Sequence, residues 1–140
     1  MAAPTLGMDM KRILIVEHNS FFLQFIKETL HLRLPSTEMI EAANGEEAMQ
    51  KIKALPPEAI LMDLRLPGEN GLELTKKIKA QYPNIIVVIL TNYDLPEYRE
   101  AAYQAGADHF VSKDSFLSII GSVLTKHDTG KANPNSSGAH

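Results

Sequence analysis

Short apolar runs recur along this chain, and the stretches between them carry apolar residues at helical spacing. Residues 13–16, 59–62, 85–90 and 109–111 read as buried strands, and residues 38–42 as a weaker one. Strict alternation of strand and helix demands a parallel sheet with right-handed crossovers and helices on both faces. In such open sheets a ligand crevice lies beyond the carboxyl ends of the strands, where the winding reverses. Four of the five runs end in polar residues: Glu17 and His18, Asp63, Thr91, and Lys113. If the runs lie parallel, these side chains converge at one edge.

The intervening segments carry helix signals. Phe22, Phe25, Ile26, Thr29 and Leu30 share one helical face, with Asn19 or Ser20 as the N-cap and Pro35 as the stop. Asn44-Gly45-Glu46-Glu47 and Asn70-Gly71-Leu72-Glu73 both have capping-box spacing. The first predicts a helix with Ala48, Ile52 and Leu55 inward, ended by Pro56-Pro57, and the second a helix through Gln81. Pro96 falls in the first turn of a helix beginning at Asp94-Leu95-Pro96-Glu97, and Gly106 suits its C-terminal cap. Phe116, Ile119, Ile120, Val123 and Leu124 complete a fifth helix at i, i+3, i+4, i+7, i+8. With strand order 2-1-3-4-5, the crevice lies between the first and third strands, beside Glu17, His18 and Asp63.

A length of 140 residues suits one domain, expected over residues 11–125, and leaves no room for a second catalytic or DNA-binding domain. Residues 1–10 lack periodicity and residues 126–140 are rich in Gly, Ser, Asn, Lys and Pro, so both are expected as flexible tails. The absence of Cys suits a reducing compartment, and no apolar run is long enough to cross a bilayer; a cytoplasmic location is the expectation. A formal charge of -3 without a basic cluster argues against nucleic-acid binding. No Gly/Ser/Thr-rich loop follows the first strand and Trp is absent, which argues against a flavin carrier.

A carboxylate can attack phosphorus in line and form an acyl phosphate, provided cations and fixed donors neutralise the phosphoryl oxygens. Asp63 is the candidate nucleophile. Lys113 can pair with one phosphoryl oxygen as a point charge, and the Thr91 hydroxyl can donate to another. A divalent ion, normally Mg²⁺, would supply the remaining neutralisation.

These residues stand in motifs that resemble the receiver domain of bacterial two-component response regulators: ILIVEHN, LMDLRLPGENGLEL with Pro67 and Gly71 four and eight residues after Asp63, VVILTNY, and GADHFVSK. The resemblance covers residues 11–124. It implies a flavodoxin-like α/β fold with five strands and five helices. It further implies phosphorylation of Asp63 by a phosphohistidine of a sensor histidine kinase or phosphotransfer protein, and signalling rather than enzymatic turnover. By the same resemblance Thr91 and Phe110 form the switch, and a metal is held by Glu17, the residue at position 18, Asp63 and the backbone carbonyl of Arg65. The output surface for a downstream protein would be residues 94–124, a face that can also serve homodimerisation.

The chain departs from that pattern at His18, where the family carries a metal-ligating Asp. Imidazole suits Zn²⁺, Co²⁺ or Mn²⁺ better than Mg²⁺. A unit-charge pair at about 4 Å is worth roughly 4 kcal/mol at an effective dielectric near 20, so a lost carboxylate weakens Mg²⁺ substantially. Either His18 has a metal or pH role, or it is tolerated because phosphotransfer has been lost and the chain is a pseudo-receiver that only binds partners. Asn92 stands where Ala or Gly is common, and Asp114 where Pro often follows the lysine.

Overall fold

The computed structural model describes residues 10–116. Five parallel strands form one sheet in the order β2-β1-β3-β4-β5, with β1 at Arg12–Val16, β2 at Glu38–Ala42, β3 at Ala59–Asp63, β4 at Ile86–Thr91 and β5 at His109–Ser112. Between them run α1 (Ser20–Arg33), α2 (Gly45–Ala54), α3 (Gly71–Gln81) and α4 (Pro96–Gln104). A 3-10 turn, Lys113–Ser115, follows β5. The proposed fifth helix lies, beyond Phe116, outside the described residues, as do residues 1–9 and 126–140.

Alternating strand residues separate two cores. Leu14, Val16, Ile60, Met62, Val87 and Ile89 face α2, α3 and α4. Ile13, Ile15, Leu61, Val88 and Leu90 face the other way, where Ile26 and Leu30 of α1 meet them. The interior strands are therefore apolar on both faces, as a sheet covered on both sides requires. Met10 joins the second core and its carbonyl accepts from the Thr37 hydroxyl at 2.7 Å, so packing begins one residue before the expected domain start. Among the described residues, no helix is long and apolar enough to cross a membrane.

Three helices begin at an asparagine whose side chain accepts a backbone N–H: Asn19 from Phe22, Asn44 from Glu47 and Asn70 from Glu73. The open choice at the start of α1 thus falls to Asn19. In α4 the N-cap is Leu95, with no side-chain cap, and Asp94 instead pairs with Arg99 at 2.7 Å. Gly106 takes φ +106° just beyond the end of α4, a backbone region that favours glycine. Leu55 departs from expectation. It is 49% exposed, because the helix has ended at Ala54 and Leu55 is extended, so the helical spacing no longer applies to it.

One close approach ties the fold to the site. A Cβ at Gly71 would come within 2.6 Å of the Asp63 carbonyl oxygen and 3.1 Å of Leu64 Cα. The Gly71 N–H donates to Leu64 O at 2.7 Å. The start of α3 is thereby seated on the backbone of Asp63, and only glycine permits that distance. Replacing it forces backbone apart, because both contacting groups are main chain. Gly71→Ala is expected to lower the free energy of unfolding by about 1–3 kcal/mol, the usual cost of overpacking. Urea unfolding of the variant measures this; an unchanged midpoint would show that the seat is loose.

Candidate functional site

The register of the sheet decides which side chains meet. Val16 pairs with Met62, Asp63 with Leu90, and Thr91 with Ser112, so all four site-bearing strands end at nearly the same level. Chain direction turns outward there from both β1 and β3, leaving the crevice between them. Glu17 and Asp63 meet across it through one cation. The Lys113 ammonium lies 3.2 Å from Glu17 Oε1, 3.4 Å from Glu17 Oε2 and 3.5 Å from Asp63 Oδ2.

Glu17 is the buried member, with its side chain 1% exposed against 13% for Asp63 and 11% for Lys113. Its Oε2 accepts from the Asn19 N–H at 3.1 Å and from Lys113. Its Oε1 lies within ion-pair distance of Lys113 but makes no hydrogen bond among the described residues, because proximity to the ammonium comes without alignment. Burial raises the pKa of Glu17 above its usual 4.5, and the negative charge of Asp63 raises it further. The Asn19 N–H and the Lys113 charge oppose this shift and are outweighed. Two carboxylates sharing one ammonium leave the pocket short of positive charge.

Asp63 Oδ1 accepts from the Arg65 N–H at 3.3 Å, which orients the carboxylate. Thr91 is buried at the end of β4, and its Oγ1 accepts from the Tyr93 N–H at 2.8 Å, leaving the hydroxyl proton to donate elsewhere. Phe110 is buried among the core residues on the α2–α4 side, and the Arg99 guanidinium stands 5.0 Å from its ring centre. The Lys113-Asp114 peptide is trans.

His18 does not share this convergence. It is exposed, and among the described residues no group of three His, Cys, Asp or Glu side chains is placed to hold a metal ion. Of the expected metal residues, Glu17 and Asp63 are brought together through Lys113.

Two contacts escaped sequence reasoning. Arg65, read as loop with only its carbonyl relevant, places its guanidinium 4.4 Å from the centre of the Tyr93 ring. Phe22, read as a core position, lies 4.5 Å from the Lys113 ammonium. Neither pairing has a spacing signal, since each joins segments far apart in the chain.

A model of the response regulator receiver domain matches residues 13–122. The chain belongs to that family. It is 33% identical over 126 residues to the transcriptional regulatory protein LnrK of Bacillus subtilis, covering 89% of this chain and 57% of LnrK. The chain thus spans little more than half of that relative. It is 29% identical over 119 residues to the chemotaxis protein CheY of Halobacterium salinarum, covering 82% of this chain and 98% of CheY. Among solved structures, the receiver domain of the NarL response regulator from Mycobacterium tuberculosis superposes with a TM-score of 0.75 at 26% identity, over 89% of this chain and 98% of that one. The five-stranded flavodoxin-like order is thereby confirmed.

The raised pKa of Glu17 sets a pH dependence. Between 4.5 and its higher folded value the native state holds more protons than the unfolded chain, so stability falls as pH rises through that window. The penalty is absent below the unfolded value and complete above the folded one. In metal-free buffer, Glu17→Gln should gain stability relative to the parent as pH is raised from 4.5 to about 8. Urea unfolding across that range checks it, and a difference that is flat or of opposite slope refutes the burial cost assigned to Glu17.

Proposed function

We propose that this receiver accepts a phosphoryl group on Asp63 from a phosphohistidine of a sensor histidine kinase or phosphotransfer protein, acts as a cytoplasmic relay, and signals through protein contacts. The observation that carries the reading is the Lys113 ammonium shared between Glu17 and Asp63 in a pocket short of positive charge. In the reaction, an Asp63 carboxylate oxygen bonds to phosphorus as the P–N bond of the donor breaks. The electron pair leaves with the imidazole nitrogen, and the product is an acyl phosphate. Lys113 then serves one phosphoryl oxygen and the Thr91 hydroxyl another, while Phe110 responds to the position of Thr91. The output face is residues 94–124, of which α4 and β5 are described.

Receiver domains as a family bind Mg²⁺. The donor set fits a hard divalent ion in part: two carboxylates are present, one with an oxygen lacking any hydrogen bond, and one ammonium does not neutralise both. Glu17, Asp63 and the Arg65 carbonyl would hold it, with water completing the shell in place of a third carboxylate. Bound there, it would supply the charge that the phosphoryl oxygens still require.

The second reading, a pseudo-receiver that binds partners without phosphotransfer, is favoured by one observation, the exposed His18 where the family has an acidic ligand. Intact-mass measurement after incubation with acetyl phosphate and Mg²⁺ or Mn²⁺ separates the two. A phosphate-sized gain that Asp63→Asn abolishes supports the first; no gain with either metal supports the second. His18→Asp is expected to raise Mg²⁺ affinity about tenfold or more, followed by tyrosine fluorescence. Unchanged affinity would refute the account of His18.

A further inference from the structure

The Lys113 ammonium has a third neighbour beside the two carboxylates, the Phe22 ring, whose centre lies 4.5 Å from Nζ. Phe22 belongs to the first turn of α1 and is half-buried. Its ring is fixed by two others: Phe25 stacks on it at 5.8 Å, and Phe116 meets it edge-on at 6.1 Å. Phe25 and Phe116 are themselves 6.0 Å apart, closing a three-ring cluster. Phe116 is fully buried and lies three residues after Lys113. One short segment therefore carries both the cation and a wall of the cluster that positions its ring partner.

The carboxylates alone hold the ammonium loosely. Their distances of 3.2, 3.4 and 3.5 Å exceed the roughly 2.7–2.9 Å of a well-formed charge-assisted hydrogen bond. A lysine head on a flexible stem needs a further restraint to stay in place. An aromatic face supplies one, because its quadrupole attracts the cation within about 6 Å without dictating the direction of its N–H bonds. An ammonium held this way can turn its donors from a carboxylate to another oxygen without leaving its seat.

We propose that Phe22 is a positioning residue for Lys113, its ring face holding the ammonium between Glu17 and Asp63 ready to turn toward a phosphoryl oxygen. The inference rests on Asp63 as the acceptor. A core filler at this position would tolerate Leu with no effect on the cation; a ring that seats the cation would not.

The test has two arms. In the full chain labelled with ¹³C,¹⁵N-lysine, the Lys113 Hε signals, assigned with Lys113→Arg, should be shifted upfield by the ring in the parent and in Phe22→Tyr, and should lose that shift in Phe22→Leu. The initial rate of phosphorylation by acetyl phosphate should fall about three- to thirtyfold in Phe22→Leu, the range of a cation–π contact, and be kept in Phe22→Tyr. Incorporation of 3,5-difluorophenylalanine at position 22, which keeps the shape and drains the ring face, should give an intermediate rate. Unshifted Lys113 signals in the parent overturn the proposal, as do equal rates in all variants despite a shift. A parent that takes up no phosphate but shows the ring shift refutes Asp63 as acceptor and the positioning role with it, while leaving the seat itself intact. The NMR arm thus distinguishes the two failures.

Discussion

A single ammonium shared by two carboxylates of unequal burial is the interaction on which the site depends. Glu17 is almost wholly removed from water and its ionised form is costly there, whereas Asp63 keeps part of its solvent contact. Lys113 reduces that cost without cancelling it. The unbalanced charge is a property of the ground state, and it gives the pocket a standing demand for more cation. Our reading is that the ammonium turns its donors from these carboxylates toward a phosphoryl oxygen, while the remaining positive charge has to come from a bound cation.

The sheet creates this arrangement by bringing distant positions to one level. Lys113 and Glu17 are 96 residues apart in the chain, yet parallel register sets the ends of β1, β3 and β4 side by side, with the 3-10 turn after β5 carrying Lys113 to the crevice. The backbone holds the carboxylates in place. Gly71 seats α3 against the carbonyl of Asp63, the Arg65 N–H orients its side chain, and the Asn19 N–H holds Glu17 at the mouth of α1. Tyr93, by donating its N–H to the Thr91 hydroxyl oxygen and stacking under Arg65, links the loops after β3 and β4.

Much of this was legible in the chain. The alternation of apolar runs with helical spacing, punctuated by asparagine caps and proline stops, predicts the five strands within a residue or so of their observed ends, and most clearly the interior ones, where burial on both faces leaves an unbroken apolar run. The convergence of Glu17, Asp63 and Lys113 followed from topology. What local pattern could not reveal was element ends and long-range pairing: that Leu55 has left its helix, and that Phe22 and Tyr93 meet cations from other segments. Those depend on where the backbone turns and on contacts between elements, for which residue spacing carries no record.

The central claim, that Lys113 is a shared and transferable cation serving the carboxylate of Asp63, is tested most directly by a crystal structure of the full chain with beryllofluoride, a phosphoryl mimic. The account predicts beryllium bonded to an Asp63 oxygen and Lys113 Nζ moved off Glu17 onto a fluorine. Beryllofluoride bound at Asp63 with Lys113 still on Glu17, or with its ammonium turned to solvent, would contradict it.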